Sequence, residues 1–208
     1  EEAAGQGIVA GINAGLKALG KPPFILKRED SYIGTMIDDL ITKNIYEPYR
    51  MLTSRSEYRL LLRQDNAIFR LGHKAHAIGL LSDTDMGLIT SQRKAVDEFI
   101  ALWQKTSTTP ELNDRYRLKQ KTSLYDLLKR PETSLDDILS ITSLGDTERH
   151  IAEKAWIEIK YEGYLLKQQV EINKIERLES KRIPSTVDFN AIRGLKKESV
   201  EKFNSYRP

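Results

Sequence analysis

The clearest chemical signal in the sequence is a row of arginines beside a predicted helix start. It lies in Glu47-Pro48-Tyr49-Arg50-Met51-Leu52-Thr53-Ser54-Arg55-Ser56-Glu57-Tyr58-Arg59-Leu60-Leu61-Leu62-Arg63. Ser54 and Glu57 stand at capping-box spacing, which predicts a helix beginning at Arg55. Arg55, Arg59 and Arg63 then recur every four residues along one stripe, with Arg50 just ahead of the cap. Tyr58, Leu61 and Leu62 fall on the other side and are predicted to be buried. Guanidinium groups beside free backbone N–H groups at a helix start suit an anion, and phosphate above all. The competing reading is a solvated, salt-bridged face in which Glu47 and Glu57 absorb part of the charge.

Other constellations are weaker. His73 and His76 have a spacing that can serve a metal, but no third ligand keeps it. Asp38 and Asp39 are adjacent, so they point to different sides of a helix. They are expected to face solvent or cap rather than hold a cation. Arg115-Tyr116-Arg117-Leu118-Lys119-Gln120-Lys121 alternates basic residues with others. If extended, it puts all its cations on one edge, able to grip a nucleic-acid backbone; as a mobile loop it is merely solvated. Lys160, Tyr164 and Lys167 lie within two helical turns and mostly on one side. No nucleophile–base pair, metal cluster or phosphate loop is visible, so neither catalytic nor metal-binding residues are assigned.

These residues sit in a chain of 208 residues with 33 Lys+Arg against 30 Asp+Glu, a formal net charge of +3. That charge is too mild to mark a nucleic-acid binder by itself, so any basic surface must come from local clustering. Cysteine is absent, which excludes a disulfide scaffold, a thiolate zinc site and a thiol nucleophile within this chain. No apolar run approaches the ~20 residues that span a bilayer, and no secretory signal is visible. A cytoplasmic protein without membrane contact is expected.

The elements that must position the candidates read as mainly α. Residues 2–19 show a helical apolar stripe (Ile8, Ile12, Leu16, Leu19) and a second stripe of small residues (Gly7, Gly11, Ala14, Ala18) that suggests a close neighbour. Gly20 and Pro22 end it. Helices are further predicted over residues 32–40, 55–63, within 71–81, from 83 to about 105, over 123–129, 134–140, 146–178 and 197–204. In the longest of them Ile151, Ala155, Ile159, Leu166, Val170 and Ile175 mark a stripe expected to be buried. Residues 41–42 and 50–52 leave room for one short two-stranded ribbon. Residues 106–110 form a break.

The arginine-rich stretch, followed by Asp65-Asn66-Ala67, closely resembles the signature of the tRNA uridine-5-carboxymethylaminomethyl modification enzymes, the MnmG or GidA family. Likeness extends over nearly the whole chain and is strong over residues 1–16, 30–72, 157–170 and 183–208. It includes Glu1-Glu2-Ala3-Ala4, Leu127-Leu128-Lys129-Arg130-Pro131-Glu132, Glu158-Ile159-Lys160-Tyr161-Glu162-Gly163-Tyr164 and Asp188-Phe189 with Gly194-Leu195. The resemblance implies a helical C-terminal region over residues 51–208, with a break near 106–122, preceded in 1–50 by a remnant of an FAD-binding α/β domain. In that remnant Glu2 and Ala3 would sit at a flavin-facing helix start. It further implies a parent flavoprotein that uses FAD, NADH and methylenetetrahydrofolate. With the GTPase MnmE, the parent installs an aminomethyl-type group at C5 of the tRNA wobble uridine, and it works as a homodimer. The family's cysteines and glycine-rich fingerprint lie upstream of the matching part, so this chain is not expected to bind FAD itself. The family's terminal tail would follow residue 208. The chain is then expected to serve tRNA and partner contacts, with Arg50, Arg55, Arg59, Arg63, Lys160 and Lys167 toward tRNA. The alternative is a helical module that docks the GTPase without touching tRNA.

Overall fold

The computed structural model describes residues 1–139, 146–179 and 181–207, the side chains of residues 146, 147, 176 and 179 excepted. It is mostly helical, with no strand among the described residues. The helices are α1 (Glu2–Ala18), α2 (Tyr32–Thr42), α3 (Ala67–Ala77), α4 (Asp83–Lys105), α5 (Pro110–Arg115), α6 (Leu124–Leu128), α7 (Leu135–Leu139), α8 (Asp146–Glu179) and α9 (Lys197–Tyr206). The chain divides into a large compact unit, Glu1–Gln168, and a small one from Gln169 onward.

The core of the large unit lies between α4 and the helices that follow it. Ser82 and Asp85 make a complete capping box that starts α4. Its apolar face then delivers Val96 and Trp103, with Phe99 packed at 5.6 Å from the Trp103 ring centre. Thr109 caps α5 with Pro110 at its first position, and Ser123 caps α6. These short helices contribute Leu112, Leu124, Leu127 and Leu128, and α7 adds Leu135 and Ile138. Ala152 and Ala155 let α8 approach closely, with Ile159 closing the row.

Ahead of this core, α1 and α2 form their own pair. Ser31 caps α2, accepting from the Gly34 N–H at 2.9 Å. Gly5 faces Met36 and Ile33, and a side chain at Gly34 would overlap the carbonyl of Lys27. Asn13 clamps the following loop by bonding both backbone groups of Phe24. Gly20, at φ 67°, ends α1 in the left-handed region.

Several expectations need correction. The small-residue stripe of α1 makes no close approach: a side chain at Gly7 or Gly11 would have no neighbour within 4 Å, and Ala14 and Ala18 are exposed. The close approach is made by Gly5 instead. The ribbon is absent, because residues 41–42 complete α2, whose own hydrogen bonds use that backbone. Among the described residues, β-pairing outside strands is an isolated bridge between Ser107 and Ser123. The stripe of α8 is buried as far as Ile159, but Leu166, Val170 and Ile175 are exposed. Helical periodicity shows that a face is apolar without showing what covers it. Residues 115–121 are not extended, since α5 takes up Arg115 and a turn follows. The predicted end of α7 at Ser140 lies outside the described residues.

The small unit is built on a pair of stacked rings. Phe189 and Phe203 lie 5.2 Å apart, joining the turn Phe189–Ala191, capped by Asp188, to α9.

Candidate nucleic-acid interface

No helix begins at Arg55. The chain makes a single 3-10 turn over Thr53–Arg55 and passes through further turns before α3. The cause is the fate of Glu57. Its carboxylate accepts both arms of Arg28, Nε at 2.7 Å and Nη2 at 2.8 Å, so it is not free to close a capping box with Ser54. Tyr58 and Leu62 are buried as expected, each 4% exposed, and they pin the segment to the molecule. Without the helix, the arginines share no stripe.

Arg28 is the hub of this region. Besides Glu57 it binds Asp38 at 2.8 Å and Asp39 at 2.7 Å, and it donates to the carbonyl of Arg55 at 3.3 Å. Asp39 is fully buried and also receives Lys43 and the Tyr49 hydroxyl, the latter at 2.9 Å. The reading of Asp38 and Asp39 as solvent-facing or capping residues is therefore overturned for Asp39, while Asp38 keeps a side chain 37% exposed. Both face a guanidinium from an earlier loop.

The signature arginines have separate fates. Arg63 is mostly buried, bonded in a fork to Asp65 at 2.9 and 3.0 Å and lying over the Tyr161 ring at 4.7 Å. Arg50 is 75% exposed, with Glu2 at 3.5 Å. Arg55 is exposed and stacks on Tyr49 at 4.6 Å. Arg59 is exposed and has no ion pair among the described residues.

Two contacts bring α8 to this segment. The Gln168 amide donates to the carbonyl of Glu57 at 3.1 Å, and Tyr161 holds Arg63. The signature and residues 161–168 are thus fastened side by side within the large unit. Tyr164 and Lys167 are exposed on that stretch. Lys160 is turned to other work: it donates to the carbonyl of Arg130 and lies near the Trp156 ring. Burial lowers the pKa of Lys160.

At the start of α1, Glu2 accepts the Met51 N–H at 2.9 Å and lines a cleft of about 270 Å³ with Glu1, Gly5, Ile33, Met36 and Met51. Ala3 is exposed. His76 pairs with Asp83 at 2.8 Å, and no group of three or more His, Cys, Asp or Glu among the described residues is placed to hold a metal. Nor is any helix among them long and apolar enough to cross a membrane.

Titration follows from these contacts. Burial pushes the Asp39 carboxyl up, but hydrogen bonds from Lys43, Arg28 and Tyr49 outweigh it and bring it down to about 2. Arg28 lowers Glu57, Lys129 lowers Glu162, and the Tyr116 hydroxyl lowers Asp137. Burial and the Asp39 hydrogen bond push the Tyr49 phenol up to about 12. A carboxyl with a depressed folded pKa stabilises the fold above its unfolded value, near 4, and that stability is lost as pH falls through the folded value. Thermal midpoints should therefore hold from pH 7 to about 5 and fall steeply between about pH 4 and 2. A midpoint that stays level down to pH 2.5 would count against these carboxylate contacts.

Relatives supply the context. Residues 83–169 match the family described as the tRNA modifying enzyme MnmG/GidA C-terminal helical domain. The whole chain is 44% identical over 218 residues to the tRNA uridine 5-carboxymethylaminomethyl modification enzyme MnmG of Lactobacillus gasseri. It is 45% identical over 217 residues to the same enzyme of Listeria innocua. Each alignment covers 100% of this chain and 34% of the relative. The solved structure of Aquifex aeolicus GidA in its form II crystal is similar with a TM-score of 0.77 at 39% identity, over 100% of this chain and 33% of that one. The chain thus spans about a third of the length of the curated relatives it matches. Fold and matches together define a helical module of the kind found in tRNA-modifying enzymes. The chain belongs to the MnmG/GidA family, in the part that includes its C-terminal helical domain.

Proposed function

We propose that this chain is the tRNA- and partner-contacting part of a cytoplasmic flavoprotein that modifies the wobble uridine of tRNA at C5. The carboxymethylaminomethyl-type addition, the GTPase partner MnmE and the homodimer belong to this proposal, as do NADH and methylenetetrahydrofolate for the whole protein. Residues 1–50 are read as the end of the FAD-binding domain. The cleft beside Glu2 suits part of that assignment. Ile33, Met36 and Met51 offer apolar walls for a flat ring, while the Glu1 and Glu2 carboxylates would repel a phosphate. The cleft therefore does not fit the diphosphate of FAD, and no chemical step is assigned to this chain.

The observation that carries the tRNA reading is Arg59. It stands exposed and, among the described residues, without an ion pair, two residues from Glu57, which is tied down by the Arg28 fork and the Gln168 contact. An exposed guanidinium with no carboxylate partner there suits a phosphate oxygen. Arg55 and Lys167 extend the basic surface, and Arg50 adds to it only partly because Glu2 stands near. Arg63 and Lys160 act inside the fold.

Arg59→Ala should weaken binding of all tRNAs alike, by roughly fivefold to tenfold at 0.1 M salt. It should also reduce the log–log salt slope by about 0.9, as loss of one phosphate contact requires. Thermal stability should stay within ~0.5 kcal/mol of wild type, since the side chain is exposed. Lys at this position should restore part of the affinity. A lowered melting point with an unaltered slope would show that Arg59 is structural.

A docking module without tRNA contact is favoured by a different observation. Leu166, Val170 and Leu178 are 63%, 69% and 53% exposed on α8. No measurable tRNA binding by this chain, with binding to the GTPase retained and lost on replacing Leu166 by a charged residue, would support this second reading.

A further inference from the structure

The turn after α5 carries charges that the fold does not use. Arg115 is taken up by Asp137 at 2.7 Å, and the Tyr116 hydroxyl donates to the same carboxylate. Tyr116 and Leu118 pack against the core around Trp103. Between and beyond them, Arg117, Lys119 and Lys121 are exposed and have no ion pair among the described residues. The carboxylates nearest in sequence are Asp114 on α5 and Asp126 on α6, the latter bonded to Ser123 at the α6 cap.

The segment is anchored at both ends. The Leu118 N–H bonds the carbonyl of Asn113 at 2.8 Å, and the Thr108 N–H bonds that of Thr122 at 2.8 Å. The bridge between Ser107 and Ser123 closes the base. Arg117 takes φ 50°, a left-handed conformation that glycine adopts without strain. An arginine held there by two inward-packed neighbours presents its charge at a backbone cost. Leu118 packs against the core, while Arg117 and all of residues 119–121 are exposed, so a single anchored turn gathers three cations at the surface.

We infer that Arg117, Lys119 and Lys121 form a second phosphate-contacting surface that takes the RNA backbone, separate from the signature arginines. The inference rests on the tRNA reading above and adds a site to it. Cations carried on an anchored turn neutralise phosphates with less backbone ordering entropy than a free tail would lose on binding. It carries no sequence information, so it should position any tRNA equally.

The test is salt-dependent binding of a fluorescent tRNA transcript to the full chain. Arg117→Gln, Lys119→Gln and Lys121→Gln together should reduce the slope by about two to three and the affinity at 0.1 M salt by at least about tenfold. Unfolding should be unchanged, because Tyr116 and Leu118 remain. Lys119→Gln with Lys121→Gln leaves the strained position intact and should reduce the slope by about one to two. Lys17→Gln, Lys21→Gln and Lys197→Gln remove the same charge from other exposed positions and should have a smaller effect. Equal losses from both triple variants, or no loss from the first, would overturn the site. So would displacement of the tRNA by polyglutamate at equal charge concentration, which would indicate a generic acidic partner. If Arg59→Ala weakens binding and the loop variant does not, only this inference fails. If the wild-type chain does not bind the transcript at all, the tRNA reading fails with it.

Discussion

Arg28→Ala should destabilise the protein by about 3–5 kcal/mol, the usual consequence of removing one partner from a buried ionic cluster. Its side chain is 21% exposed, while that of Asp39 beneath it is not exposed at all. Truncation would leave Asp39 in the interior with Lys43 and Tyr49, next to the now unmatched carboxylates of Asp38 and Glu57. Three of the lost bonds tie Arg55 and Glu57 to Arg28, which itself holds Asp38 and Asp39 of α2, so the effect should spread to the signature segment. Amides of residues 57–62 should then exchange faster than in wild type, and tRNA affinity should fall although Arg59 is untouched. Arg28→Lys should recover only part of the stability, because an ammonium cannot make the planar fork. A loss below about 1 kcal/mol would mean that solvent screens the cluster as it does a surface pair.

Trp103→Ala should cost about as much, roughly 3–5 kcal/mol, by a different route. Trp103 is 1% exposed and packs on Phe99 in the core shared by α4, α6, α7 and α8. Its removal leaves a cavity that α6 and α7, five residues each, are too short to close by themselves. For a chain of this size, the loss corresponds to a fall in melting temperature of about 6–20 °C. Trp156 is the other tryptophan of the two and would report the loosening by fluorescence. The Arg28 cluster should survive this change, so residues 57–62 should keep their protection at temperatures where α6 has opened. Simultaneous loss of both regions would show one cooperative core where the packing indicates two.

What the sequence made legible was local. Ser82 before α4 and Ser31 before α2 are short-range signals, and both helices start where they place them, whereas Thr109-Pro110, where α5 begins, reads in the sequence only as a break. The misreading of residues 55–63 has the opposite origin. Ser54 and Glu57 have the right spacing, but the carboxylate is taken by Arg28, 29 residues earlier, and no local pattern announces that partner. The burial of Asp39 was hidden for a related reason: Lys43 is a local partner, but Arg28 and Tyr49, which help cover it, come from loops on either side of α2. Of the predicted tRNA contacts, Arg55, Arg59 and Lys167 are exposed. Arg63 and Lys160 are drawn inward by Asp65 and by the carbonyl of Arg130. Residue type alone cannot separate these groups, because an arginine that binds phosphate and one that binds aspartate use the same fork.

The empty space beside Gly7, Gly11 and Gly15 makes α1 a natural place for a spectroscopic reporter. The sequence contains no cysteine, so a single Gly11→Cys substitution supplies the only thiol for maleimide chemistry. A fluorophore or nitroxide attached there departs from a Cβ with no neighbour within 4 Å. Its mobility then reads directly whether another surface has come to rest on that face of the helix. The same label, introduced one position at a time along the stripe, would trace the outline of whatever lies against it.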